Sequence, residues 1–195
     1  MKTYKCANIR NIALAGHGGS GKTTLAEALI FKSGGNDRMG KVNDGNTICD
    51  YDPEEIKRKI SLTTSLAYAE RKDVKINIID TPGQFDFIGG MFEGVRAAET
   101  TVICVPAKDG VQVGAVKAYK EAVKQGKARV FAVTKTDEEN ADFDKTLAGL
   151  KSTFGGSVCA LSDRDSLSEL VAGTDEALME KYLDAGELTD EEIAK

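Results

Sequence analysis

AGHGGSGKTTL, residues 15–25, sets three glycines and a serine directly before a lysine and two threonines. The interior of a helix or strand disfavours such a run, because glycine leaves the backbone unrestrained. Its flanks are regular. IRNIAL at 9–14 reads as a short, largely apolar strand, and TLAEALIF at 24–31 places Leu25, Ala28 and Leu29 at helical spacing, with Gly34-Gly35 as a stop. Strand, glycine loop and helix, with Gly16-x-x-x-x-Gly21-Lys22-Thr23 across the joint, form a phosphate-binding loop in its required context. Glycines let main-chain N–H groups converge on phosphate oxygens, and the helix N-terminus adds partial positive charge. The expected nucleotide-binding residues here are Gly16, His17, Gly18, Gly19, Ser20, Gly21, Lys22, Thr23 and Thr24. Lys22 reaches the outer phosphates and stabilises their charge during catalysis, and the Thr23 hydroxyl can ligate Mg²⁺. This loop alone does not separate ATP from GTP.

Strand and helix patterns alternate downstream. Residues 34–50 are polar and glycine-rich and read as a long mobile loop, and Asp52-Pro53-Glu54-Glu55 carries a capping Asp, a first-turn Pro and first-turn acids. Residues 61–69 and 74–79 are expected to form a pair of strands. TVICVP at 101–106 and RVFAV at 129–133 are the near-continuous apolar runs of central parallel strands. Helical patterns cover 111–124 and 143–154. The alternation predicts an α/β fold of the P-loop NTPase kind, a doubly wound, mainly parallel sheet flanked by helices. Its ligands belong at the carboxyl ends of the strands.

Three further segments fall at such ends. After 74–79 comes Asp80-Thr81-Pro82-Gly83-Gln84: Asp80 can hold Mg²⁺ through water, and the Gly83 N–H can approach a terminal phosphate. After 129–133 comes Thr134-Lys135-Thr136-Asp137. Here the Asp137 carboxylate can accept from both N1–H and N2–H of guanine, where adenine offers an acceptor and a C–H. The Lys135 stem can lie over the nucleotide. Ser61, just after the polar loop, supplies a hydroxyl that can complete the Mg²⁺ shell, so the expected metal set is Thr23, Ser61 and Asp80. Each segment alone has an ordinary reading as a turn, a solvated loop or a strand start. Their order selects a guanine nucleotide.

Composition bounds the rest. The chain has 195 residues, 41% of them hydrophobic and 29% charged, enough for a substantial core. A net charge of −5 argues against an autonomous DNA- or RNA-binding module. The start, MKTYKCANIR, has no apolar signal region and no run approaches membrane-spanning length, so a cytoplasmic chain without a membrane partner is expected; a monomer is expected as well. His17 is the one histidine, which excludes His-cluster metal sites. Cys6, Cys49, Cys104 and Cys159 lack metal-ligand spacing. Cys104 and Cys159 lie in apolar, strand-like runs and read as buried free thiols.

DTPGQFDF, AETTVICVPAKDGVQVGA, TKTDEENADF and DEALMEKYLDAGELTDEEI resemble elongation factor G and its relatives, and GHGGSGKTTLAEALIFKSG with DYDPEEIKRKISL is more similar to the elongation factor G-like branch. That resemblance covers nearly the whole chain. It implies a ribosome-stimulated GTPase that uses GTP/GDP and Mg²⁺, with the ribosome as partner. Several positions depart from the family pattern: Gly19 stands where the family usually has Asp, Ser61 for the switch threonine, Gln84 for the catalytic histidine and Thr134 for Asn. Gln84 can still orient the attacking water, and is taken with Lys22 as catalytic. After residue 161 the family normally inserts a subdomain of which only the last helices are matched here. The expected division is therefore a GTP-binding domain at 1–160 and a helical remnant at 161–195, with the downstream domains absent. The Ser-Ala loop that closes over guanine in this family is expected beyond this stretch of chain, with residues 157–162 as the less favoured candidate for its substitute. Two rivals stay open: a nucleotide-dependent ribosome-binding or protection module with little turnover, and an unrelated P-loop ATPase.

Overall fold

The computed structural model describes residues 2–193. Five strands form one sheet: β1 (Ile9–Gly16), β2 (Ser65–Arg71), β3 (Val74–Asp80), β4 (Thr100–Pro106) and β5 (Ala128–Thr134), in the order β2-β3-β1-β4-β5. β2 runs antiparallel to β3, joined by a tight turn, and the other neighbours are parallel. The helices are α1 (Lys22–Lys32), α2 (Pro53–Arg58), α3 (Ile88–Ala97), α4 (Val113–Lys124), α5 (Phe143–Phe154), α6 (Arg164–Ala172), α7 (Glu176–Ala185) and α8 (Asp190–Ile193). The mainly parallel, helix-flanked sheet expected from the alternation is the one observed.

Strand periodicity divides the core. Leu14, Ile78 and Val102 point to one face, where Ala26 and Ile30 of α1 pack with Cys49, Ala67 and Ala69. Their neighbours Ala13 and Ile79 point to the other face, against Ala98 beyond α3. Small residues let the second face pack closely: a Cβ on Gly94 of α3 would meet Thr81 Cγ2 at 2.4 Å.

Three expectations about local structure change. The strand predicted from residue 61 starts only at Ser65, since the buried Glu55 carboxylate accepts from the N–H groups of Leu62 (2.9 Å) and Thr63 (3.0 Å). Those donors are thereby withdrawn from sheet pairing. The SVCALS run at 157–162 forms turn and coil, and Cys159 is half-buried, whereas Cys104 in β4 is fully buried. Residues 34–50 are more organised than a free loop: they hold a single helical turn at Val42–Asp44 and bury Gly40, Thr47, Cys49 and Asp50.

The chain divides into two compact units, Met1–Asp142 and Phe143–Lys195. In the second, Asp163 and Asp175 cap α6 and α7 by accepting from Ser166 N and from Ala177 and Leu178 N. Leu188 is buried, and Arg164 donates to its carbonyl (2.8 Å) while pairing with Asp190. Thr189 and Glu192 form the reciprocal capping box that T-x-x-E predicts.

Candidate functional site: a cleft at the strand ends

β1 ends at Gly16, and the chain then turns through residues 17–21 before α1 begins at Lys22, with Gly21 at φ 83° preceding the helix. Lys22 is 6% exposed and folds back so that Nζ donates to the His17 carbonyl at 2.9 Å, with the Gly16 carbonyl at 3.5 Å. Burial pushes its pKa down, while Asp80 chiefly opposes that shift. The loop after β3 crosses directly above: a Cβ on Gly83 would meet Lys22 Nζ at 2.4 Å and both N and Cα of Gly18 at 2.8 Å. Only glycine lets the two loops touch. Gln84 follows at the rim, exposed, with its carboxamide against Gly18.

Behind this contact lies an oxygen cluster. Thr23 Oγ1 donates to Asp80 Oδ2 at 2.6 Å and stands 3.3 Å from Ser61 Oγ, which donates to Asp50 Oδ1 at 2.7 Å. Asp80 is 1% exposed, and its Oδ1 has no hydrogen-bond partner. Burial pushes this carboxyl up to about 7, against the opposing Thr23 hydroxyl and Lys22 ammonium. Asp50 is likewise raised, by burial first and by its neighbour Glu55, although the Ser61 bond opposes the shift. Hydroxyls and carboxylates alone, with a buried oxygen unsatisfied, suit a small hard cation that completes its shell with water and phosphate oxygens. Among the described residues no group of three or more His, Cys, Asp or Glu side chains could hold a metal ion by itself. That fits a cation shared with a ligand.

Thr23, Ser61 and Asp80 thus come together as their positions in the sequence suggested. Asp50 was missed. Its place in a polar, glycine-rich run gave no sign that it would face Ser61. Glu27 was also missed: it sits in α1 at 1% exposure, and its two oxygens accept from Gly40 N (3.0 Å) and Ile48 N (2.5 Å). It pins the two ends of residues 40–48 to the helix that carries Lys22 and Thr23.

At the other end of the cleft stands the loop after β5. Thr134 Oγ1 donates to the Ser20 carbonyl at 2.8 Å, tying this loop to the glycine loop. Lys135 adopts a left-handed φ of 55° and pairs with Glu138 at 3.1 Å, and Asp137 is exposed. Gly18, Gly19, Gly21, Lys22, Thr23, Thr24, Ser61, Gly83, Gln84, Thr134, Lys135 and Asp137 line one cleft of about 780 Å³, within the range of small-ligand sites. Gly16, His17, Ser20 and Asp80 lie outside that lining. Gly16 ends β1, His17 supplies its carbonyl to Lys22 and its ring to Phe85 at 5.5 Å, and Ser20 is fully buried. Gly16, His17 and Ser20 stand behind the cleft wall, and Asp80 reaches it through the oxygen cluster at Thr23.

Comparisons with known proteins agree with this architecture. Residues 7–191 match the family described as the elongation factor Tu GTP binding domain. An elongation factor G-like protein of Mycobacterium tuberculosis is 31% identical over 225 aligned residues, covering 95% of this chain and 31% of that protein. Elongation factor G 2 of Borreliella burgdorferi is 36% identical over 147 residues, 75% of this chain and 22% of its own length. A crystal structure from Thermus thermophilus superposes with a TM-score of 0.83 at 31% identity, covering 96% of this chain and 34% of the other. The chain spans about a third or less of the length of the relatives it matches. With the glycine loop, the Asp80–Gly83 crossing and the Thr134–Asp137 loop gathered at one cleft, the chain belongs to the elongation factor Tu GTP-binding domain family.

Proposed function

We propose that the cleft binds GTP and GDP with Mg²⁺ and hydrolyses GTP to GDP and phosphate, as the nucleotide-binding part of a ribosome-associated, cytoplasmic, monomeric elongation factor G-like protein. The observation that carries this reading is the arrangement of Lys22, Thr23 and Gly83 at one end of a single cleft, with Asp80 bonded behind Thr23, and of Asp137 at the other end. Main-chain N–H groups of residues 18–24 and the Lys22 ammonium hold phosphate oxygens and offset their charge. Thr23 and Ser61 present hydroxyls to Mg²⁺, with Asp80 and Asp50 as carboxylates behind them. The cation supplies charge neutralisation at the phosphates. Gln84 orients the attacking water from the rim, and Asp137 reads guanine N1–H and N2–H.

Residues 1–160 are assigned to the GTP-binding domain and 161–195 to the helical remnant of an inserted subdomain. The relative from Mycobacterium tuberculosis aligns over 225 positions, more than this chain's 195 residues, which supports an insertion in that relative. Single-turnover GTP hydrolysis, measured with and without ribosomes, tests the assignment. Conversion of bound GTP to GDP is expected. Binding without conversion would favour the module with little turnover, and displacement of GTP by equimolar ATP would refute guanine selection.

A further inference from the structure

We propose that Lys59 is a second phosphate-binding cation, contacting the terminal phosphate from the part of the cleft wall that also carries Ser61. This rests on the reading of the cleft as a guanine-nucleotide site. Lys59 ends α2 in the left-handed conformation, φ 57° and ψ 37°, with its N–H donating to the Glu55 carbonyl. Helices commonly end in this conformation, and glycine is the residue that adopts it without strain. A lysine stands here against that preference, and strained positions of this sort gather where a side chain is needed.

The side chain has a place to act. Lys59 is exposed and lines the cleft, while its two basic neighbours turn away to Glu54, Lys57 at 3.9 Å and Arg58 at 3.0 Å. Among the described residues Lys59 makes no ion pair. Its end of the cleft is fixed by the chain two residues on, where Ser61 Oγ lies 3.3 Å from Thr23 Oγ1 at the mouth of the glycine loop. The base-reading Asp137 is on a different loop. A triphosphate brings more negative charge to this end than a diphosphate, and Lys22 faces it from the glycine-loop side. Lys59 therefore favours the triphosphate. A lysine acts here as a mobile point charge rather than through fixed geometry, so an exposed, unpaired position suits it.

The test opposes the structural role to the binding role. Lys59→Gly relieves the left-handed strain, so the nucleotide-free chain is expected to melt at the same temperature or higher. The same variant is expected to bind guanylyl imidodiphosphate with Mg²⁺ about 5–20-fold more weakly, with GDP affinity changed less than threefold, the scale of a partly exposed charge contact. Lys59→Arg should restore most of the triphosphate preference. An unchanged ratio of the two affinities in Lys59→Gly, or an equal loss of both with a lower melting temperature, would overturn the proposal. If the wild-type chain binds neither nucleotide, the nucleotide reading itself fails and this one with it; if it binds both and only the ratio stays fixed, Lys59 alone was misassigned.

Discussion

The Gln84 carboxamide lies on the main chain of Gly18, so close that a Cβ there would meet Nε2 at 2.8 Å and Cδ at 3.2 Å. The residue proposed to orient water therefore depends on the lack of a side chain in the glycine loop. Gly18→Ala should move the carboxamide and lower single-turnover hydrolysis by about 10–100-fold, since a shift near 1 Å in a positioning group costs that much. Because both positions act on one group, the Gly18→Ala/Gln84→Ala double variant should be little slower than either single one. Fully multiplicative losses would show that the two residues act independently.

Base selection makes a second prediction. Asp137→Asn replaces one acceptor with a donor, and xanthine presents a carbonyl where guanine has its amino group. GTP binding should weaken by about 10–100-fold while XTP binding improves, as expected where a site's hydrogen-bonding pattern is inverted. Competition between GTP and XTP for the variant measures this. An unaltered preference would remove Asp137 from base reading.

Glu27 makes a third, about stability. Both of its oxygens accept from main-chain N–H groups, of Gly40 and Ile48. Glu27→Gln keeps the shape but turns an N–H₂ toward one of those donors. A buried donor left unsatisfied costs about 1–3 kcal/mol. Urea unfolding should therefore show a loss of that size even for this near-isosteric change. A loss below about 0.5 kcal/mol would mean that residues 40–48 are held by other contacts.

A fourth concerns acid. Glu192 is pulled down from 4.5 to about 2, by the Lys181 hydrogen bond first and by the Thr189 N–H and hydroxyl next. The folded pKa is depressed, so the contribution of the capping box is complete above the unfolded value near 4.5 and is lost as pH falls through about 2. A carboxyl ¹³C titration should place the Glu192 midpoint near 2. In Lys181→Met it should move back toward 4.5. A wild-type midpoint already at that ordinary value would mean that the Lys181–Glu192 bond is not held in solution.

Much of the molecule was decided within short stretches of sequence. G-x-x-x-x-G-K-T between an apolar run and a helical pattern defines strand, loop and helix by local rules, and alternating strands and helices leave few topologies for a parallel sheet. Cap residues act within one turn of chain, which is why Asp52 and Thr189 could be assigned their roles from spacing alone. Thr23, Asp80 and Asp137 were proposed for a related reason: each lies at a strand end or on the segment that follows one, where such a sheet places its ligands.

The rest depended on residues far apart in the chain. Glu27, Asp50 and Glu55 look like ordinary solvated acids in the sequence, but burial makes them organisers. Glu55 halts β2 short of Ser61, Glu27 fastens residues 40–48 to α1, and Asp50 takes the Ser61 proton donor. No local pattern announces this, because most of the donors they accept from lie 7 to 21 residues away in the chain. The apolar SVCALS run shows the converse: local composition suited a strand, but a strand exists only where a partner supplies its hydrogen bonds, and among the described residues no strand pairs with 157–162. The sequence determined which elements form and which chemistry they carry; pairing and burial, set by distant contacts, decided where strands begin and which carboxylates face the site.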